Sequence, residues 1–433
     1  MRHLGSILIL GSDSPGERDL SARLRVNGYD ARLVTSVEAM LSTFAQEHPD
    51  LILTMAEAPE AGRAVTALRS IETGEAAPIC LASLSRDIDP AAQSIASGFD
   101  DCVAAPLYDA KLVAHLRPLL RLVTMRTELR IRASAAEKAG AAPPRPPATT
   151  GAEPIKALVV GDIGATHGAF DELDTRHIDD FGLAVDTLHG QRFDIAVLVP
   201  GGDPASYLDL CQRIRSSPSL FNLPVAVVGP FDARIEEASF NSGASGFYDN
   251  SAGPEVMAVL AQGMVRRQRT RLHLGRALSA TLTDKTRGIA RAYSAAFFAQ
   301  YMPARFDYAQ TFGRHLAMLH VSSPDVAAVR EKYGEVQAQD MERALEQWIA
   351  QLTRVEDLLA TNGGAEFFMV LPDTPSAEAA AVASRIAAVV GQVEFALTEV
   401  YEGVRAHVAV KGAVLKPGES LAEFQNRAKR DSI

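Results

Sequence analysis

Short apolar runs alternate with longer stretches of helical periodicity through the N-terminal part of the chain. Residues 6–10, 31–34, 51–53 and 78–81 are such runs, with another at Cys102 and Val103. They carry no polar alternation, the pattern of strands covered on both faces of a parallel sheet. Their alternation with helices predicts a doubly wound α/β domain over residues 1–132. Residues 133–153 break the pattern; rich in Ala, Pro and Thr, they read as a linker, extended around 143–147. The runs then recur. Residues 157–160, 194–199, 224–228 and 243–247 echo 7–10, 50–53, 78–81 and 98–101, so an internal duplication predicts a second doubly wound domain over 154–276. Each copy ends in an arginine-rich helix, the second carrying Arg266, Arg267, Arg269, Arg271 and Arg276. Such charge suits an acidic polymer or lipid, or a solvated connecting helix, and the second use is expected.

The remaining residues, 277–433, form a third domain with the densest local signal. Apolar runs at 357–361 and 366–371 are joined by Asn362-Gly363-Gly364. Asn-Gly between β-prone runs marks a hairpin, because primed turns need positive φ. Arg354 and Asp357 precede the first strand, with Arg354 nine positions ahead of Gly363. Arg and Asp three apart make, at the least, a surface ion pair of about 0.2–0.5 kcal/mol. His315 and His320 lie five apart on the preceding strand and face opposite sides, so they do not form a metal pair.

Composition narrows the classes. With 433 residues and 47% hydrophobic content, two to four folded domains are expected. A net charge of −10 argues against a duplex nucleic-acid binder. Cys80, Cys102 and Cys211 are isolated, as buried reduced thiols of a cytoplasmic protein would be. No apolar run is long enough for a membrane span and the start lacks a signal-peptide pattern, so any membrane attachment is expected to be peripheral.

Gly363-Gly364-Ala365-Glu366-Phe367 resembles the signature of the GGDEF domain, the catalytic module of diguanylate cyclases. Arg354 and Asp357, at their distance from it, resemble that family's inhibitory site for the product, cyclic di-GMP. Thr283-Asp284 and Gly288-Ile289 resemble its opening motif, with Arg291 where the family has a guanine-contacting asparagine. The resemblance implies two side-chain positions for Mg²⁺, matched here to His320 and Ala365, and a neutral imidazole and a methyl group replace oxygen ligands poorly. Glu366 is not the main metal ligand in the family. His320, Gly363, Gly364, Ala365, Glu366 and Phe367 are therefore degenerate active-site positions; no catalytic residue, metal or cofactor is expected. The product site is expected to survive. Arg354 can offer paired donors to guanine O6 and N7 or to a phosphate, and Asp357 can accept guanine N1–H and N2–H, worth about 1–3 kcal/mol of discrimination. Arg385 resembles the arginine that the family supplies to the same ligand from a neighbouring domain.

The two N-terminal domains resemble flavodoxin-like receiver domains of response regulators. The resemblance aligns the phosphoacceptor with Met55 and Val199, the acidic pair with Gly11 and Ser12 and with Gly161 and Asp162, and the lysine with Ala105 and Asn250. Only Ser83 matches, at the hydroxyl position, and Asp13 falls one position late. Neither methionine nor valine can carry a phosphoryl group, so both domains are expected to serve as dimerisation and docking scaffolds. The order receiver, receiver, GGDEF resembles the PleD-type cyclases and their noncatalytic effector relatives. It implies a cyclic di-GMP-binding signalling adaptor, a homodimer, cytoplasmic or at a cell pole. Its implied partner is an adaptor that delivers a cell-cycle regulator to a ClpXP-type protease. A weakly active diguanylate cyclase and a ligand-free dimerisation scaffold are the alternatives.

Overall fold

The computed structural model describes residues 2–57, 60–70, 77–85, 98–142, 154–171, 173–200, 204–251 and 253–433. The chain divides into two compact units, one of Ser6–Val123 and Ala148–Leu272, the other of Met1–Gly5, Thr124–Pro147 and His273–Ile433.

The first unit holds two copies of one doubly wound fold. In the first copy β1 (Ser6–Leu10), β2 (Asp30–Val34), β3 (Leu51–Met55), β4 (Ile79–Ala82) and β5 (Asp101–Val103) run parallel in the order β2-β1-β3-β4-β5. Its helices are α1 (Pro15–Val26), α2 (Val37–Glu47), α3 (Ala61–Arg69) and the start of α4 (Asp109–Lys138). Every side chain of β3 is fully buried, as a sheet covered on both faces requires. In the second copy β6 (Lys156–Gly161), β7 (Asp174–Ile178), β8 (Ile195–Val199), β9 (Val225–Gly229) and β10 (Gly246–Asp249) repeat that order as β7-β6-β8-β9-β10. Its helices are α5 (Ala184–Gly190), α6 (Pro204–Ser216), α7 (Ala233–Asn241) and the start of α8 (Pro254–Ala280). The duplication read from the apolar runs is thus a duplication of topology. Among the described residues, a 3₁₀ turn, Ile163–Thr166, stands where the first copy has α1, and a second, Phe181–Leu183, precedes α5.

The last helices of the two copies also touch each other's cores, while Met257, Ala261 and Met264 of α8 stay in the core of its own copy. Ala110 and Ala114 of α4 pack into the core of the second copy, and Val256 and Leu260 of α8 pack into that of the first. Lys111 pairs with Glu236 at 2.6 Å, both buried. Asp101 accepts from His115 and Arg267. Arg266 and Arg267 donate to the carbonyls of Phe99 and Asp100, and Arg269 binds Asp194. The expected solvated helix is corrected in part: Arg267 is largely buried against Asp101 and the Asp100 carbonyl, whereas Arg266 and Arg276 stay exposed.

In the second unit β11 (Leu316–Ser322), β12 (Leu358–Gly363), β13 (Glu366–Pro372) and β16 (Ala409–Val414) form an antiparallel sheet ordered β12-β13-β11-β16, beside a short ribbon of β14 (Glu394–Phe395) and β15 (Val404–Arg405). The helices are α9 (Ala295–Thr311), α10 (Asp325–Tyr333), α11 (Glu335–Gln351), α12 (Ser376–Val390) and α13 (Leu421–Arg430). Leu319, Val321, Phe367 and Met369 face Met341, Leu345 and Ile386 on one side of the sheet. Met318, Phe368 and Val370 face Phe298, Met302 and Phe424 on the other.

The expected linker begins too early at residue 133. Helix α4 continues to Lys138, and Ile131, Ala135, Ala136 and Ala141 are buried in the core of the C-terminal domain. An alanine-rich stretch resembles low complexity in composition, yet alanine is the strongest helix former and its small side chain allows close packing. Residues 143–153 of that expectation lie outside the described residues.

Candidate functional site

Arg354 and Asp357 lie in the short connection between α11 and β12. They do not form a side-chain ion pair. Asp357 Oδ2 accepts the backbone N–H of Arg354 at 2.8 Å, and Asp357 N–H donates to Arg354 O at 3.1 Å, closing a turn. Asp357 is buried, and burial with Glu356 beside it pushes its carboxyl up to about 7. The Arg354 side chain is half exposed, with Glu378 Oε2 on α12 at 3.8 Å. Arg385, seven residues beyond Glu378 and so on the same face of α12, donates to Leu352 O at 2.9 Å. Two exposed guanidinium groups therefore flank one turn. Arg385 was expected to serve a neighbouring domain; here it is bonded to the turn of its own.

At the hairpin the register pairs Thr361 with Phe367 and Gly363 with Glu366, with an irregularity between Thr361 and Gly363. The two-residue loop is thus Gly364-Ala365, at φ 63° and 58°, and Asn362 sits in the bulge instead of the turn. Gly363 also has positive φ. Two N–H groups of this loop are bonded from within the chain. Glu342 of α11 accepts Ala365 N–H at 3.0 Å, and Thr361 Oγ1 accepts Gly363 N–H at 3.1 Å. One helical turn on, Glu346 accepts Arg291 N–H at 3.1 Å, and burial raises its carboxyl to about 7.

His320 and Ala365 do not share a site. His320 pairs with Phe368 across the strands, its ring tilted against the Phe368 ring, on the sheet face opposite to Ala365, Val321 and Phe367. Ser323 N–H, not His320, lies against Ala365, donating to its carbonyl at 3.3 Å. Burial holds the His320 imidazole below its usual value, hence neutral at pH 7, with Nε2 3.7 Å from Glu366. Glu366 in turn accepts from Asn362. Hard Mg²⁺ takes oxygen ligands. A buried methyl group, a neutral imidazole on the far face and a Glu342 carboxylate already bonded to Ala365 N–H do not fit it. Among the described residues no group of three His, Cys, Asp or Glu side chains could hold a metal ion.

The receiver-like domains place Met55 and Val199 at the ends of β3 and β8, both fully buried. At Gly161, φ is 100° and a Cβ would meet Val199 O at 2.1 Å, so no acidic side chain can occupy that position. In the first copy Glu57 Oε1 accepts from Ser83 Oγ at 2.6 Å and from Leu84 N–H at 2.8 Å. The sole matching hydroxyl is thereby bonded to the chain's own carboxylate.

Sequence reasoning missed Glu342, Glu378 and the α4 residues Thr124, Glu128 and Arg132. The last three recur at i, i+4 and i+8 and so share one helix face, but Arg126, Thr127 and Arg130 between them left no apolar background to single the stripe out. Thr124 Oγ1 donates to Asp373, Glu128 accepts from Tyr301 and pairs with Arg305, and Arg132 donates to Val355 O and Glu356 O.

Residues 289–431 match the family described as "Diguanylate cyclase, GGDEF domain". The chain is 21% identical over 390 residues to the response regulator PleD of Caulobacter vibrioides, covering 88% of this chain and 85% of that protein. It is 30% identical over 118 residues to the transcriptional regulatory protein PrrA of Mycobacterium tuberculosis, covering 27% of this chain and 49% of that protein. Among solved structures, the GGDEF domain of DgcB from Caulobacter crescentus, in complex with c-di-GMP, aligns with TM-score 0.33 and 19% identity over 34% of this chain and 86% of that one. The chain therefore has receiver-like parallel-sheet domains followed by a GGDEF cyclase-like domain, in the order of a PleD-like response regulator. No described helix is long and apolar enough to cross a membrane.

Proposed function

We propose that this receiver–GGDEF chain is a noncatalytic, PopA-like effector of cyclic di-GMP. It binds the dinucleotide at the Arg354–Asp357 turn and recruits a protein partner, in cell-cycle control and regulated proteolysis at a cell pole. The observation that carries the reading is the pair of exposed guanidinium groups, Arg354 and Arg385, flanking one turn. Two fixed cations suit the two phosphodiesters of a cyclic dinucleotide, and the planar donors of Arg354 suit the guanine edge. Occupancy raises the population of the partner-binding state by its differential affinity for that state. Loss of catalysis is supported by the hairpin: the Glu342 carboxylate on Ala365 N–H repels a triphosphate brought to the loop, and the donor set does not fit Mg²⁺.

The test is calorimetric titration of cyclic di-GMP into the purified chain, with light scattering, beside an assay of GTP turnover with Mg²⁺. Micromolar or tighter binding without product is expected. Magnesium-dependent product would restore the weak cyclase, and no heat would leave a dimerisation scaffold.

Binding is also expected to depend on pH through Asp357. The ionised carboxylate is the form that accepts both guanine N1–H and N2–H, and burial with Glu356 beside it raises the pH at which Asp357 ionises towards neutrality. Affinity should therefore rise as pH is raised from 6 to 8, and Asp357→Asn should flatten the profile. A flat wild-type profile would mean that Asp357 serves the turn alone.

A further inference from the structure

We propose that Arg132 is a positioning residue for the Arg354–Asp357 turn, and that the buried stripe Thr124, Glu128 and Arg132 couples occupancy of the turn to α4. The coupling to ligand rests on reading the turn as the cyclic di-GMP site. Both guanidinium arms of Arg132 are spent on that turn, one on Val355 O at 3.2 Å and the other on Glu356 O, while its Nε faces Glu128 at 3.3 Å. Arg132 is 2% exposed, and its guanidinium lies over the Tyr293 ring. Tyr293 in turn bonds the outer edge of β12 at Leu359 and Thr361. The two residues between Arg354 and Asp357 are thus held from inside by one side chain, which leaves Arg354 facing solvent.

The stripe also fixes the register of α4. Its three members meet Asp373, then Tyr301 and Arg305, then the two turn carbonyls. A slip by one helical turn in one direction would set Glu128 against Asp373 and Arg132 against Arg305. In the other it would set Glu128 against the turn carbonyls. Each arrangement opposes like charges or dipoles in a buried setting, where the cost is large. A ligand that moves the turn therefore acts on α4 through bonds with no neighbouring alternative, and a ligand that fits the turn as it stands rigidifies α4 instead.

The experiment is amide hydrogen exchange on the full chain, free and with cyclic di-GMP, for wild type, Arg132→Met and Arg132→Lys. In the free protein, Arg132→Met is expected to speed exchange at residues 352–358 about tenfold or more while β11 and β13 stay unchanged. Arg132→Lys, which keeps the charge beside Glu128 and reaches one carbonyl, is expected to restore part of the protection. Ligand is expected to protect both the turn and residues 124–138 in wild type, and the turn alone in Arg132→Met. Wild-type exchange of the turn in both variants overturns the proposal, as does an equal rise across the whole domain. If Arg132→Met does not fold, Arg132→Lys carries the same comparison. If wild type binds no cyclic di-GMP, the ligand reading falls, and exchange in the free turn still decides the role of Arg132.

Discussion

Arg354→Ala is expected to lower affinity for cyclic di-GMP about a hundredfold while leaving the fold intact. Removing the bidentate partner of a guanine edge or phosphate forfeits about 3 kcal/mol, which is roughly a hundredfold in Kd. The side chain is half exposed and its nearest acid, Glu378, is 3.8 Å away, so little stability goes with it. The turn itself is closed by the backbone of Arg354, which alanine retains. Calorimetry and a thermal melt on the same samples check both halves. Wild-type affinity in the variant would move the ligand elsewhere, and a collapsed melt would make the loss uninformative about contact.

The largest effect on stability is expected from Asp373→Ala, a loss of about 3–5 kcal/mol. Asp373 receives Arg314 at 2.9 Å, Arg305 at 3.3 Å and Thr124 Oγ1 at 2.6 Å. Arg305 and Arg314 are each 1% exposed, so the variant leaves two buried cations short of an anion. For a unit of this size the shift in Tm is about 10 °C. The same carboxylate gives an acid signature. Burial raises its pKa, but Arg314 and Arg305 outweigh burial and bring it to about 2. A depressed carboxylate stabilises the fold fully above its unfolded value near 4 and loses that contribution as pH falls towards 2. Calorimetric melts of wild type and variant should therefore converge over that interval. A shift under about 2 °C at neutral pH would mean that Glu128 neutralises both arginines.

The domain order was legible because buried parallel strands are local objects: residues 51–53 or 157–160 read as strands without knowledge of their neighbours. The hairpin was legible for a similar reason, since Gly363 and Gly364 state a backbone need for positive φ within a few residues. Its details were not. The bulge at Asn362 moved the turn to Gly364-Ala365, and strand parity decided that His320 and Ala365 face opposite sides. A register slip of one residue reverses every side chain of a strand, and nothing in the local sequence reports it. The end of α4 was misread because composition alone cannot tell an alanine-rich helix from an alanine-rich linker.

What the sequence determined by itself is chemical identity. The side chains of Met55, Val199 and Ala365 cannot accept a phosphoryl group or ligate Mg²⁺ in any fold, and Arg354 remains a guanidinium wherever it lies. Only the tertiary structure decided which groups meet. Thr124 reaches Asp373 across 249 positions, Arg132 reaches the carbonyl of Glu356 across 224, and Glu342 closes on Ala365 N–H from a separate helix. Periodicity and turn chemistry are set by neighbours along the chain. Buried polar pairing is set by the requirement that every desolvated donor and acceptor find a partner in space, and that requirement exists only once the elements have packed.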